Sequence, residues 1–278
     1  MKAGRAGSNP DGIAKIEIST SQPLAFLLHD IGSSVFCLNT IVVGLDAVEQ
    51  GHEKPDGLDI SWNPSDRNIA ARKSRKYVLE SVLIKVSEAL NQFLIALIKL
   101  PRFVEIRSKW SGSESVAEKI LDVSNTLIGP QYLTSAVALL VHWRNRIVHR
   151  SSRATLNVDS KRILRENEQE ILENYKRLSV DRLLAHFEEG RPSLKDISSL
   201  ISMSINWARQ INQAVYDSLT KDDLDVWLDH YDIKTALIKI TAETKPEKLE
   251  PSIRRMFVSR APMLTELYFQ FYPSPSRT

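Results

Sequence analysis

Residues 131–151 read QYLTSAVALLVHWRNRIVHRS, directly after Gly129-Pro130. Proline opens a helix readily because its missing N–H is not needed in the first turn, and no glycine or proline interrupts these 21 residues. At about 100° per residue, Ala136, Val137, Leu140, Trp143, Ile147 and Val148 fall on one broad face. His142, Asn145, Arg146, His149 and Arg153 fall opposite. The period is that of a helix. Working outward, long stretches on both sides repeat it without strand-like alternation, so the chain reads as all-α.

Arg144 breaks the pattern, since it projects into the apolar side. A charge there is costly unless it is paired or faces a wet cleft. Asp30, Glu80 and Glu88 are candidate structural partners. The chemical alternative is a site. A histidine moves protons near neutral pH, and an arginine holds a phosphate as charge builds on it. Arg144, Asn145 and His149 are therefore the candidate catalytic residues, and the Arg–His pair can cleave RNA without a metal. On an ideal helix Arg144 and His149 point roughly 140° apart. Either the helix distorts, or long side chains converge at its end, or a second copy related by a two-fold axis completes the site.

Arg144-Asn145-x-x-x-His149 resembles the signature of the HEPN superfamily: Arg, four to six residues, then His, with a polar residue, often Asn, after the Arg. The specific likeness covers six residues, and the architectural likeness about residues 22–219. It implies an all-α, HEPN-like helical bundle, a homodimer, and metal-independent endoribonuclease activity that leaves a 2′,3′-cyclic phosphate and a 5′-hydroxyl. It further implies work in toxin–antitoxin or antiviral systems, with an antitoxin, sensor or other defence protein as partner. A HEPN subgroup paired with nucleotidyltransferase antitoxins carries a modifiable Tyr two residues after the His. Ser151 stands there in this chain, so that form of regulation is not expected. The competing reading is a catalytically silent helical module that docks a protein or nucleic acid.

The 278 residues are 42% hydrophobic and 26% charged, enough for a sizeable core without disulfide or metal staples. The net charge of +3 is unevenly spread. Arg67–Lys85 holds six cations against Glu80 alone, and 142–165 holds seven against Asp159 alone. Two basic stretches fit a polyanion such as RNA. Arg72, Lys76, His142, Arg146, Arg150 and Arg153 are the candidate RNA-binding residues. Asp217–Asp232 reverses the sign, with six Asp against Lys221. Its spacing does not match an EF-hand loop, and Thr220 with Asp223 reads as a capping box. No metal or other cofactor is expected.

Cys37, the one cysteine, lies in an apolar run and reads as a buried thiol in a reducing compartment. Residues 1–12 have no apolar core of a signal peptide. Pro23–Leu45, interrupted by His29, Asp30 and Asn39, reads as a buried helix rather than a membrane span. A cytoplasmic protein without membrane contact is the expectation.

The chain divides into three: a flexible N-terminus (1–20), a HEPN-like helical domain (21–219), and a C-terminal helical extension (220–278) punctuated by prolines. The domain should hold helices from Pro23 to about Gln50, from Ser65 or Asp66 to about Leu100, from Ser113 to Leu127, the motif helix, a charged helix over 161–189 bent near Ser179, and one from Ser193 to about Leu219. Loops separate them at 51–64, 151–159 and 190–192.

Overall fold

The computed structural model describes residues 21–272, apart from 111, 113, 128, 130, 150, 151 and 218. The expected flexible N-terminus, the expected helix start Ser113, Pro130, Arg150, Ser151 and the last six residues lie outside these. Thirteen α-helices and no strand occur among the described residues, so the fold is all-α. They are α1 (Gln22–Glu49), α2 (Arg67–Leu97), α3 (Val104–Lys109), α4 (Val116–Leu127), α5 (Gln131–Val148), α6 (Val158–Glu166) and α7 (Glu168–Asn174). After these come α8 (Val180–Glu189), α9 (Leu194–Asp217), α10 (Lys221–His230), α11 (Ile233–Glu243), α12 (Pro246–Arg260) and α13 (Thr265–Phe271).

Local chemistry explains many boundaries. Asp66 caps α2, accepting the Ile69 N–H at 2.9 Å. Thr220 and Asp223 form the reciprocal capping box at the start of α10. The single bent helix anticipated over 161–189 is instead three helices, α6 to α8. Lys176 and Arg177 both take positive φ, 54° and 57°, which no helix interior tolerates. Ser179 then caps α8 by accepting from the Arg182 N–H, and Gly190, at φ 66°, closes it.

The helices group into two compact units. The described parts of Phe26–Ile95 and Trp110–Ile211 make one; those of Met1–Ala25, Ala96–Lys109 and Asn212–Thr278 make the other. In the larger unit the α2 stripe Leu79, Val82, Leu83, Val86, Leu90, Phe93 and Leu94 is buried. Phe93 meets Trp207 of α9 edge-on at 6.1 Å. The Trp207 indole N–H donates to Ser124 Oγ of α4 at 3.0 Å, which satisfies the one polar atom of that buried ring. In the smaller unit Tyr216 meets Trp227 at 5.3 Å. There Arg254 ties α12 to α13 through Glu266 at 2.8 Å.

Two expectations are overturned in α1. The helix buries one seam through Leu27, Ile31 and Leu38 and leaves most of its circumference open. Phe36 is 72% and Val43 71% exposed. Cys37 is exposed as well, not a buried thiol. By length and composition α1 could cross a bilayer, and with only 11% of its most apolar window buried it is not the core helix expected. Hydropathy marks a helix as apolar; it does not say how many neighbours cover it.

Candidate functional site

Helix α5 is buried on every side from Leu133 to Val141, and again at Trp143. Its polar residues are concentrated at the C-terminal end. Arg144, Asn145, Arg146 and Ile147 are half-buried, and Val148 and His149 are exposed. The helix stops at Val148, with the His149 N–H still donating to Asn145 O at 3.0 Å and the Ser152 N–H donating to His149 O at 2.8 Å. Cations suit such an end, because the last carbonyls leave a partial negative charge there.

The two arginines of this turn have opposite surroundings. Arg146 is locked into the fold: Nε donates to Ala154 O at 2.7 Å, Nη1 to Phe187 O at 2.8 Å and Nη2 to Glu188 at 3.0 Å. Its guanidinium also stacks 3.8 Å over the Phe187 ring, which in turn meets Trp143 edge-on at 5.5 Å. Arg144 forms no ion pair among the described residues, with Asp30, Glu80, Glu88 or any other acid. Its Nη1 donates to the neighbouring Asn145 Oδ1 at 3.1 Å. This contact bears on the angular problem. Asn145 and His149 project only about 40° apart on a helix, so the bond draws the Arg144 guanidinium round toward the His149 side. His149 itself lies just past Val148, still tied to the last helical turn by its N–H bond to Asn145 O.

The other predicted residues fall in several places. His142 is half-buried, with Nδ1 buried and without a hydrogen-bond partner among the described residues. Burial first, and the Arg146 charge second, hold it below its ordinary pKa, so it favours the neutral form. Arg153 is exposed. Arg150 lies outside the described residues. Arg72 and Lys76 line a groove of ≈ 530 Å³ with Arg75, Asp46 and Pro192–Leu194. Arg75 pairs with Glu49 at 3.2 Å and Lys76 with Glu80 at 3.7 Å; no ion pair forms at Arg72 among the described residues. The groove and the end of α5 border the same stretch of chain, since Arg146 binds residues 187 and 188 while 192–194 form a groove wall.

Sequence reasoning missed three participants. Glu188 bridges Lys161 at 2.9 Å and Arg146 at 3.0 Å. The hydrogen bonds from Lys161 and then Arg146 hold its carboxyl below the ordinary value. Arg75 belongs to the groove although only its neighbours were singled out. His186 Nδ1 lies 2.7 Å from Oδ2 of the buried Asp196, which also accepts the Ser193 N–H at 2.8 Å. The Ser193-x-x-Asp196 spacing after Pro192 carried the signal for the cap, but nothing local pointed to His186. Among the described residues no three His, Cys, Asp or Glu side chains gather closely enough to hold a metal ion. The chain matches no family model, no curated protein and no solved structure.

Proposed function

We propose that the protein is a metal-independent endoribonuclease of HEPN type, serving as the toxin or effector of a toxin–antitoxin or anti-phage system. The observation that carries this reading is the pair of arginines one turn from His149. Arg146 is spent on the fold, whereas Arg144 stays half-buried, without a carboxylate partner among the described residues, in the turn that leads to the exposed His149. A fold that needed only structural arginines has no use for the second in that state.

In the reaction, the 2′-hydroxyl oxygen attacks the adjacent phosphorus, the P–O5′ bond breaks, and a 2′,3′-cyclic phosphate and a 5′-hydroxyl result. His149 takes the 2′-hydroxyl proton or supplies the proton that leaves with O5′. Arg144 stabilises the charge on the non-bridging oxygens, with Asn145 holding its guanidinium by the 3.1 Å bond. Unpaired RNA suits the step because an in-line approach needs a flexible backbone. Arg72 and Lys76 supply phosphate contacts in the neighbouring groove, with Arg153 at the surface beyond α5. Arg146 drops out of the phosphate-binding set, since its donors are committed within the fold.

The test is RNA cleavage by the purified chain in excess EDTA, with end-group analysis of products. Cleavage should persist, and His149→Ala should lower it by roughly 10²–10⁴-fold while helicity and melting temperature hold. A strict need for a divalent metal would sink the mechanism. One observation favours the second reading, a silent binding module: no hydrogen bond orients the His149 ring among the described residues. RNA binding that survives His149→Ala unchanged, with no cleavage by either chain, would establish that reading instead.

A further inference from the structure

A pocket of ≈ 490 Å³ lies within the larger unit, between the second half of α4 and the beginnings of α5 and α6. It is at the other end of α5 from the candidate site. Ser135 precedes Arg144 by nine residues, or about 14 Å along a helix axis. The walls are mostly hydroxyls and amides, from Ser124, Asn125, Gln131, Ser135, Asn157 and Ser160. Ser135 is only 3% and Ser160 6% exposed. Yet neither side-chain hydroxyl has a hydrogen-bond partner among the described residues. Both oxygens open on the pocket instead of being sealed inside protein. A buried hydroxyl costs stability unless something bonds to it. Two of them turned to one cavity mark it as a place where a ligand, or water in its absence, completes the bonding.

We propose that this pocket binds a sugar phosphate. The groups it leaves unspent are mainly donors. Ser124 Oγ already accepts from the Trp207 indole N–H and from the Thr134 hydroxyl, each at 3.0 Å, so its own O–H is what remains to give. Asn157 Oδ1 accepts the Ser160 N–H at 2.7 Å, which leaves the amide NH2. Arg162 commits Nη1 to Glu166 and keeps further N–H groups. With the Ser135 and Ser160 hydroxyls added, donors outnumber acceptors, and the ligand that fits presents acceptor oxygens. Charge points the same way. The N-terminal end of α5 borders the pocket without an acid in its first turn, and helix N-termini hold phosphate. Asp159, the carboxylate among the lining residues, is 83% exposed and lies 3.8 Å from Arg162. It stands at the rim, where it can accept from a sugar hydroxyl. The volume is that of a small-molecule site, with room for more than a bare phosphate. Leu121 and Ile163 offer carbon surface to a sugar ring, but no aromatic ring is among the described lining residues, so a nucleobase has nothing to stack on. The inference does not rest on the ribonuclease reading.

Titration calorimetry on the full chain tests this, with ribose 5-phosphate, inorganic phosphate and AMP as probes. Ribose 5-phosphate should bind more tightly than inorganic phosphate and at least as tightly as AMP. Ser135→Ala and Ser160→Ala each delete one hydroxyl, and the second keeps the α6 cap, which uses the Ser160 backbone N–H. Each should weaken binding of ribose 5-phosphate by about tenfold, the loss of one hydrogen bond to a charged group. The melting temperature of the ligand-free chain should not fall in either variant, since neither hydroxyl is bonded within the fold. Ribose 5-phosphate should raise that temperature more in the parent chain than in the variants. No binding at millimolar ribose 5-phosphate, or equal affinity in the parent and both variants, would overturn the inference. So would inorganic phosphate bound as tightly as the sugar phosphate, or AMP bound an order of magnitude more tightly. A lower ligand-free melting temperature in both variants would also overturn it, because the hydroxyls would then serve the fold. None of these measurements uses RNA, so a failed cleavage assay leaves them intact, and their failure leaves the ribonuclease reading intact.

Discussion

Helices α1 and α5 look alike in composition and differ in almost everything that matters. Each is long and apolar, and each carries a few polar interruptions. Helix α5 is enclosed on all sides from Leu133 to Val141, so its apolar residues are core and its basic C-terminal end, half-buried to exposed, is where chemistry can happen. Helix α1 is covered along a single seam, and Phe26, Phe36, Ile41 and Val43 face outward. An apolar side chain stabilises a fold only by the surface it removes from water. The same residue types therefore stabilise the monomer in α5 and sit idle in α1 until something covers them.

The sharpest way to break that contrast is truncation in α5. Leu140, with no exposed surface, should lose about 2–5 kcal/mol on Leu140→Ala, read from denaturant unfolding monitored by helicity. Next comes the anchor at the end of the helix. Arg146→Met keeps much of the contact with Phe187 but abandons the Ala154 and Phe187 carbonyls and Glu188; a loss of about 1–3 kcal/mol is expected. Arg144→Met should change stability far less than Arg146→Met while it removes RNA cleavage. Equal destabilisation by the two would end the distinction drawn between them.

A smaller effect carries a pH signature. The Glu188 carboxyl is held below its ordinary value of 4.5 by Lys161 and Arg146. Its contribution is therefore fully present above that value and is lost as pH falls through the depressed folded-state value. Glu188→Gln should cost at most about 1 kcal/mol near neutrality, as befits a half-exposed pair. The gap between mutant and parent should close in acid. A gap that widens on acidification would mean the carboxylate is not what holds Arg146. The smallest effect belongs to α1: Phe36→Ser should change the stability of the dilute chain by no more than about 0.5 kcal/mol. A large loss there would show that α1 is covered within the chain after all.

Much of the fold was legible because it is local. The α2 stripe is buried as its period requires, and Asp66 and Thr220 cap as their spacing requires. Along α9 the same helical spacing holds, with Leu200, Ile201, Ala208, Ile211 and Val215 buried and Ile205 half-buried. The break at Lys176-Arg177 was not legible, since neither residue favours positive φ and the surrounding packing must impose it. At the site, the sequence marked Arg144, Asn145 and His149 as chemically unusual. It set Arg144 apart by its place on the apolar side, but nothing local showed that Arg146, two positions on, is bound into the fold. What separates them is 41 and 42 residues beyond Arg146, at Phe187 and Glu188.

By itself, then, the sequence determined that the chain is helical and roughly where five of its thirteen described helices begin and end, and it named Arg144, Asn145 and His149 as candidates for chemistry. Periodicity, caps and residue chemistry act over a few residues, so they can be read in order along the chain. The tertiary structure decided which apolar helix is core, which arginine is structural, and which histidine acquires an acid partner, as His186 does with Asp196. Those outcomes depend on what other segments bring into contact, and burial, hydrogen bonding and electrostatic pairing are properties of neighbours in space.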